Sequence, residues 1–526
     1  MSKRTEPALI LAFIITASLT IGGLWLLSKI SPGLIPSLLG QTSSQSGGRP
    51  TNPQQKVQLT ILGDTFSGYS TFRNRAFQDR LKETGITLRY EDEFDQARRA
   101  ERLNQGQADL LVTTLDQFLK QKPQGKIVGL IDRTVGADAV VLNTKKYPTL
   151  KSLLDLNQLV NQARTKGQSL SMTFAGDTPS EYLALVLETK FEAFNLQDFQ
   201  INKVGDASEA WKRLQDPNQN VAIAIIWEPY VTQARQNGYT VVLSSQDAPE
   251  AIVDVLVASD RRLQSQPQVI SELLEAYYRR IDMNIRDASQ LQTQIAEDGK
   301  LSFSEAATVL QGIQFFTAIE AKEWMTKGIL TRRINSTAAV LVLTGRLNQI
   351  PEQPGSLFTS QFITKAANNT KTLIDLVRAD NPELADRLTG RGKAIRPRQK
   401  LTATQVKNAP DIGNLQVRGE VSFSVGSASL TPTGEQTLER LVQEIKEFNI
   451  QTVAVRVIGH TSRTGSASVN QVLSQERAQV VVNYLRAKGV QHNILAEGKG
   501  FTQPLPGISP GSSKNQRTEI RLVRVN

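Results

Sequence analysis

Three polar residues near the C-terminus, Asn470, Ser474 and Arg477, are spaced so that a helix would place them on one face. The intervals i, i+4 and i+7 follow one side of a helix, while Leu473 and Leu485 would turn inward. An arginine guanidinium is a planar fork of N–H donors that matches a carboxylate. The pattern predicts a carboxylate-binding helix; the alternative is a surface arginine paired with a neighbouring acid.

Three hydroxyl-rich segments each follow a predicted strand, at a point where a helix should begin. Free backbone N–H groups and the positive end of the helix dipole make such positions anion sites. The alternative is helix capping, which Ser and Thr perform in many proteins. The candidate ligand-binding residues in these segments are Thr65, Ser67, Thr113, Thr114, Thr178 and Ser180.

Trp227 and Glu228 end a fully apolar strand, Val221–Ile226, and are further candidates for ligand contact. The alternative is a core tryptophan followed by a surface glutamate. Glu228, Asp138 and Asp254 near a ligand cleft would disfavour a simple anion and favour a ligand that carries an amine or a bound cation.

The composition removes most kinds of catalysis. The chain of 526 residues has no cysteine and two histidines, His460 and His492. Thiol chemistry and zinc-finger or iron–sulfur ligation are therefore excluded, and residues 1–459 hold no histidine base. We predict no catalytic residue, no metal site and no cofactor, so the protein is expected not to be an enzyme. A net charge of +11 suits polyanions such as anionic lipid or wall polymer, and we predict no nucleic-acid partner.

The N-terminus predicts export. Twenty consecutive uncharged residues, from Ala8 to Leu27, match the roughly 20 that a helix needs to cross a membrane. Lys3 and Arg4 precede this run and favour a cytoplasmic N-terminus. The alternative is a cleaved signal peptide. A linker rich in Pro, Gly, Ser and Gln follows. We expect a single-pass inner-membrane protein with the bulk of the chain in the periplasm.

The middle of the chain alternates strands and helices, which predicts parallel sheets covered by helices. The runs "ADLLVTT", "VGADAVVLN", "WEPYVTQARQNGY" and "AIVDVLVAS" occur in the order found in bacterial periplasmic substrate-binding proteins. The segment resembles the nitrate/sulfonate/bicarbonate group of ABC-transporter binding proteins. Proteins in which such a domain is fused to an OmpA-like domain are often described as phosphate ABC-type. The resemblance implies two lobes that close on a small ligand. We place the crossing strands near Leu142–Lys145 and Glu250–Asp254.

The C-terminal segment predicts a compact α/β unit. Its sequences "GHTSRTGSASVNQVLSQERAQVVVNYL", "EGKGFTQPL" and "NQRTEIRL" resemble the OmpA-like domain, which binds peptidoglycan. The resemblance implies that Arg477 holds the carboxylate of diaminopimelate in the wall peptide. The residues that the resemblance assigns to this site are Thr461, Ser462, Asn470, Ser474, Arg477 and Arg517.

One position departs from the family pattern. The family usually has Gly-His-Thr-Asp, and its aspartate meets the amine of the same ligand residue, but here Ser462 follows Thr461. Losing a charge-assisted contact would weaken binding by about 1–3 kcal/mol. The resemblance therefore implies weaker wall binding, or an altered wall peptide as ligand.

The predicted fold class is α/β: an N-terminal transmembrane helix, a two-lobed type II periplasmic-binding-protein fold and a C-terminal OmpA-like α/β domain. The predicted domains are a cytoplasmic stub and anchor (1–29), a flexible linker (30–55), a substrate-binding-like domain (56–360), a helical and basic linker (361–414) and the OmpA-like domain (415–526). The expected function is solute capture combined with attachment to peptidoglycan, with an ABC permease as a further partner. The alternative is a structural envelope tether whose middle domain is a ligand-free spacer.

Overall fold

The computed structural model describes residues 57–192, 194–391 and 400–525. The predicted transmembrane segment and the linker after it lie outside the described residues, as does part of the basic run between 391 and 407. In the described ranges, no helix combines the length and the apolar character that a membrane crossing needs.

Lobe 1 is built on a six-stranded mixed sheet in the order β11-β4-β10-β3-β1-β2. Strands β1, β2 and β3 are parallel, whereas β10 runs antiparallel to both β3 and β4. The strands are β1 Val57–Gly63, β2 Ile86–Asp92, β3 Leu110–Thr114, β4 Gly125–Thr134, β10 Val253–Ser259 and β11 Ile313–Phe315. The helices between the first four strands are α1 Ser70–Arg73, α2 Arg75–Glu83, α3 Gln96–Asn104 and α4 Leu115–Gln121.

Lobe 2 has a five-stranded sheet in the order β7-β6-β8-β5-β9. Its central strands are buried along their whole length because helices cover both faces. The strands are β5 Asp138–Leu142, β6 Leu170–Ala175, β7 Phe199–Val204, β8 Val221–Trp227 and β9 Thr240–Ser244. The helices are α5 Leu153–Thr165, α6 Pro179–Lys190, α7 Ala207–Gln215 and α8 Tyr230–Gln236.

Two connections cross between the lobes, as predicted, but the first prediction was wrong in position. The chain passes from β4 to β5 through residues 135–137, before the segment predicted near Leu142–Lys145. The return passes from β9 to β10 through residues 245–252, close to the prediction near Glu250–Asp254. The apolar run of β5 pairs with β8 and β9 of lobe 2. The periodicity of a strand indicates which of its side chains are buried, but not which sheet the strand joins. The sequence pattern alone therefore could not locate the connection that crosses between the lobes.

A helical region follows β10, and one of its members bridges the lobes. Helix α14 packs against α4 of lobe 1 and against α6 of lobe 2. The last helices of the region pack on α10 and α13 rather than forming an isolated linker. The helices are α9 Asp260–Ser265, α10 Pro267–Arg286, α11 Ser289–Gly299, α12 Phe303–Gln311, α13 Ala318–Thr326, α14 Ile329–Leu343, α15 Thr364–Val377 and α16 Pro382–Asp386.

The C-terminal domain has a four-stranded sheet in the order β12-β15-β13-β14. Its first strand belongs to the segment predicted as linker, so the sheet begins earlier in the chain than residue 415. The strands are β12 Asp411–Asn414, β13 Val453–Gly459, β14 Ile494–Gly498 and β15 Thr518–Arg524. The helices are α17 Ala403–Asn408, α18 Pro432–Lys446 and α19 Ala467–Ala487.

The C-terminal domain packs directly on lobe 2. Arg524 at the end of β15 forms a 2.5 Å salt bridge with Asp247, which lies on the second crossing connection. The backbone N–H of Asn449 donates to the Asp247 carbonyl at 2.8 Å. The rings of Phe191 and Phe448 meet edge to face with centroids 6.3 Å apart. Residues from Lys56 to Asn526 thus form one compact unit.

Candidate functional site

The candidate binding site of the C-terminal domain, called the pocket below, is the group of residues around Arg477 on α19. The residue is 5% exposed. Its Nε donates to the carbonyl of Ser427 at 3.0 Å, and its guanidinium lies over the ring of Phe423, 5.0 Å from the centroid. Phe423 forms a β-bridge with Leu430, so the loop between them makes one wall of the pocket.

The charge of Arg477 is not neutralised in the part of the chain that the structure describes. No salt bridge reaches it there, and burial lowers the pKa of its guanidinium. A desolvated cation without a counter-ion is energetically unfavourable unless an anion binds it and neutralises its charge. Because a guanidinium has five N–H donors, it keeps donors free for an incoming carboxylate. The predicted alternative, a surface arginine paired with a neighbouring acid, is not what these contacts show.

Ser462 belongs to the same pocket and is connected to Arg477 through Gln516. The Gln516 amide donates to the Ser462 hydroxyl at 3.0 Å, and its carbonyl oxygen lies 3.5 Å from Nη1 of Arg477. Thr461, next to Ser462, is buried and has a hydroxyl without a hydrogen-bond partner. The sequence reasoning missed Gln516, although it stands beside Arg517 in the "NQRTEIRL" motif.

Asn470 and Ser474 share one face of α19 with Arg477, as the spacing predicts, but this face is buried and Leu473 is only half-buried. The polar atoms of Asn470 and Ser474 bind the backbone of neighbouring loops. The Asn470 amide donates to the carbonyls of Thr464 at 2.7 Å and Ser466 at 3.0 Å. The Ser474 hydroxyl accepts from the Gly500 N–H at 2.9 Å. These bonds fix the two loops that border the pocket, so both residues are positioning residues.

Arg517 does not present a free guanidinium to this pocket. It forms a 2.7 Å salt bridge with Glu519 and donates to the carbonyl of Gln503. Burial opposes ionisation of Glu519, but the neighbouring His460 ring and the charges of Arg517 and Arg521 outweigh it and lower the pKa of that carboxyl to about 2. Arg517 is therefore part of an ion network with Glu519, and its role in wall binding stays a prediction.

The second candidate site lies where the two lobes join. Asp132 near the end of β4, Asp254 on β10 and Asp138 at the start of β5 are all buried there. The hydroxyl of Tyr69 donates a short hydrogen bond to Asp254. Burial, with repulsion from Glu228, raises the pKa of Asp138 to about 7. Burial, with repulsion from Asp138, raises the pKa of Asp132 well above its usual range. Burial, with repulsion from Asp132, raises the pKa of Asp254 in the same direction.

The predicted hydroxyl segments divide into residues at this junction and residues that cap helices. Thr114 lies opposite Asp254 on the neighbouring strand, so their side chains share one face of the sheet. Thr178 caps α6, where it accepts from the N–H of Ser180 at 3.2 Å. Ser180 is fully buried and its hydroxyl has no partner. Thr113 instead donates to Gln96 at 2.9 Å, which occupies it within lobe 1.

The two earliest candidates and the pair at the end of β8 are less enclosed. Thr65 is exposed, and Ser67 begins the short turn that carries Tyr69 toward Asp254. Trp227 pairs with Asp138 across the sheet and is half-buried. Glu228 accepts from both the N–H and the hydroxyl of Thr232 at 3.0 and 2.9 Å. Both carboxylate oxygens of Glu228 are thus engaged by Thr232 in the first turn of α8, and burial raises the pKa of Glu228.

A cavity of about 220 Å³ opens elsewhere, between β6, β7 and α6 of lobe 2. Most of its lining is apolar, and its charged members are already paired. Glu181 accepts from Lys203 at 2.8 Å and from Arg346 at 3.3 Å. One carboxylate thus pairs with two cations, so the charged lining of this cavity keeps a net positive charge.

The chain therefore combines two α/β lobes, joined by two crossing connections, with an OmpA-like domain at its C-terminus. Residues 422–518 match the OmpA family, which confirms the predicted C-terminal domain. Outer membrane protein A of Shimwellia blattae is 39% identical over 105 residues, 20% of this chain and 44% of that protein. Outer membrane protein A of Klebsiella aerogenes is 39% identical over 92 residues, 17% of this chain and 26% of that protein. The chain thus spans less than half the length of these two relatives.

The two-lobed part also has similar solved structures. The periplasmic aliphatic sulphonate binding protein SsuA from Escherichia coli is 14% identical, with a TM-score of 0.45. That similarity covers 59% of this chain and 94% of the other.

Proposed function

We propose that this protein is a non-enzymatic binding protein of the cell envelope that attaches to peptidoglycan through its C-terminal domain. The observation that carries the proposal is the buried guanidinium of Arg477, which has no acidic partner among the described residues. A carboxylate of the wall peptide, that of diaminopimelate, would supply the missing charge. The OmpA-like character of residues 422–518 supports the same ligand.

Ser462 gives this pocket a different charge balance from a site that also holds an aspartate. Its hydroxyl receives the Gln516 amide and supplies no negative charge. We therefore propose that the carboxylate of the wall peptide, and not its amine, dominates recognition. This makes Arg477 the residue on which attachment depends.

Attachment can be tested by sedimenting the compact unit 56–526 with purified sacculi. Arg477→Ala should weaken binding by at least about thirtyfold, because removing one partner of a desolvated charge pair costs about 2–5 kcal/mol. Lys488→Ala is the matched control, since it removes one positive charge at the exposed far end of the same helix. Equal sedimentation of the Arg477→Ala variant and the wild type would refute the proposed site.

We further propose that the two-lobed domain captures a small solute at the junction of the lobes. The support is the set of buried polar atoms there that have no protein partner, including both carboxylate oxygens of Asp132. The alternative, a ligand-free spacer in a structural tether, predicts that no solute stabilises the protein. A solute at a hundred times its dissociation constant should add about 2.7 kcal/mol to the free energy of unfolding.

The remaining part of the proposal concerns location. We propose that Ala8 to Leu27 anchor the chain in the inner membrane, with the rest in the periplasm and an ABC permease as partner for the captured solute. The support is the apolar run itself and the two basic residues before it. Deletion of residues 1–29 should release the protein from washed membranes, and retention of the truncated chain would contradict the anchor.

A further inference from the structure

The junction of the lobes holds two carboxylates that the described protein leaves without a counter-ion. Asp132 on β4 and Asp254 on β10 are 0% and 1% exposed, and their strands are antiparallel neighbours. No salt bridge in the described ranges reaches either residue. Two arginines of the same lobe are paired with other acids: Arg133 pairs with Glu320 at 2.7 Å, and Arg99 pairs with Asp64 at 2.8 Å.

Hydrogen bonding to residues outside the pair does not compensate for the missing charge. Among the described residues, neither oxygen of Asp132 has a hydrogen-bond partner beyond the Asp254 carboxyl, and Oδ2 of Asp254 has none beyond Asp132. Tyr69 reaches only the other oxygen of Asp254. A buried carboxylate is usually paired or fully hydrogen-bonded, because an unsatisfied one is strongly unfavourable. Three free acceptor atoms at one buried place therefore indicate that a group from outside the chain donates hydrogen bonds to them.

A neighbouring aromatic group provides an independent sign of a ligand. Tyr277 on α10 is 0% exposed, and its hydroxyl has no hydrogen-bond partner. Its ring stacks on Phe72 with centroids 4.7 Å apart, which fixes its direction. Burial, the adjacent Tyr278 and the charges of Asp132 and Asp254 raise the pKa of this hydroxyl. Tyr277 is therefore an unpartnered polar side chain beside the carboxylate pair.

The backbone approaches the same carboxylate closely. A Cβ placed on Gly68 would lie 2.1 Å from Oδ2 of Asp132, so any side chain there would collide with it. The turn that carries Gly68 also carries Phe66 and Tyr69, whose rings meet edge to face at 5.2 Å. Two aromatic rings beside unpaired carboxylates are the surroundings that favour an organic cation.

The chemistry selects among ligand classes. A sulfonate, nitrate or phosphate placed here would meet two carboxyl groups that have no cation beside them in the described ranges, which disfavours a further negative charge. A bare metal ion is also disfavoured, because the described residues contain no group of three metal-ligating side chains. An ammonium or guanidinium group supplies both the positive charge and several N–H donors.

We propose that the solute of the two-lobed domain carries an ammonium or guanidinium group that binds between Asp132 and Asp254. This inference rests on the proposed solute-binding function and specifies the chemical class of the solute. Asp132 supplies two acceptor oxygens and Asp254 supplies Oδ2, while the rings of Tyr69 and Tyr277 border the cation.

The experiment is a thermal-shift screen of the unit 56–526 with two sets of probes. The cationic probes are putrescine, lysine, arginine and choline, and the anionic probes are methanesulfonate, nitrate and phosphate. We expect at least one cationic probe to raise the melting temperature, and titration calorimetry to show at least tenfold weaker binding of that probe to Asp132→Asn. The matched control is Asp282→Asn, because Asp282 is a buried carboxyl that faces α15 through Thr370.

The outcomes separate the two proposals. Stabilisation by an anionic probe alone would overturn the cation class and leave solute binding in place. Equal cation affinity in Asp132→Asn and wild type would also overturn the assignment of the site. Stabilisation by no probe of either set would overturn solute binding itself, and with it this inference.

Discussion

The salt bridge between Arg524 and Asp247 is predicted to hold the C-terminal domain against lobe 2. Asp247 is 2% exposed and lies on the crossing connection between β9 and β10. Arg524 reaches it at 2.5 Å and also donates to the carbonyl of Val241. Since this is the only salt bridge to Asp247 among the described residues, Arg524→Ala would leave a buried carboxylate without its cation.

The size of the effect follows from burial. Breaking a fully buried ion pair by removing one partner costs about 3–5 kcal/mol. Arg524 remains 20% exposed, and Asp247 keeps hydrogen bonds from the N–H and the hydroxyl of Ser244. We therefore expect a loss of about 2–3 kcal/mol, at or just below the lower end of that range. With a urea m-value of about 1–2 kcal/mol/M, the midpoint for the C-terminal domain should fall by about 1–3 M.

The positions of the tryptophans give the assay. In the unit 56–526 they are Trp211, Trp227 and Trp324, all within the lobes and the helices around them, and none in the C-terminal domain. Fluorescence therefore follows the lobes, whereas far-ultraviolet circular dichroism follows the whole unit. Arg524→Ala should add an early dichroism transition that fluorescence does not show, whereas Arg463→Ala, which removes an exposed arginine of the same domain, should not. Coincident and unshifted transitions in the Arg524→Ala variant would refute the reasoning.

Three further predictions each concern one residue that carries a carboxyl group or is changed to carry one. Ser462→Asp should raise the affinity for sacculi by about tenfold to a hundredfold if the wall-peptide amine lies beside residue 462, because a charge-assisted contact contributes about 1–3 kcal/mol. Ser462→Asn is the control. Equal affinities of the Ser462→Asp and Ser462→Asn variants would place the amine elsewhere. Burial raises the pKa of Asp138 from 3.8 to about 7, so the folded state holds a proton that the unfolded state has lost, and stability should fall by up to about 4 kcal/mol as pH rises from 4 to 8. Asp138→Asn should remove that slope in urea titrations, and a slope that persists in the variant would contradict the assignment. Glu519 behaves in the opposite sense: its pKa of about 2 means that its stabilisation is present above pH 4.5 and lost as pH falls toward 2. Glu519→Gln should therefore cost about 3 kcal/mol at pH 7 and little at pH 2, and an equal loss at both pH values would count against the ion network.

Sequence reasoning worked best where the signal was local. The intervals between Asn470, Ser474 and Arg477 predicted one helical face, and all three side chains are buried on it. Thr178 was predicted either to bind an anion or to cap a helix, and its bonds to Ser180 and Ala175 show the cap. Both outcomes depend on residues within two turns of each other, for which helix geometry suffices.

Reasoning from the sequence failed where a residue's partner lies far away in the chain. Gln516 was missed because its contact to Ser462 spans 54 residues. The type of a side chain determines which groups it can bind, whereas packing determines which of those groups it contacts in the folded protein.

Residue types and local spacing were enough to predict the alternation of strands and helices, the shared polar face of α19 and the absence of cysteine chemistry. These features depend on residue type and on periods of two or 3.6 residues, which are properties of the local chain. Packing was needed to show which sheet β5 joins, that Asp132 and Asp254 are buried together with no cation among the described residues, and that Arg524 binds a carboxylate 277 residues away. Burial and charge pairing arise only in the folded protein, because there residues distant in sequence exclude water from one another.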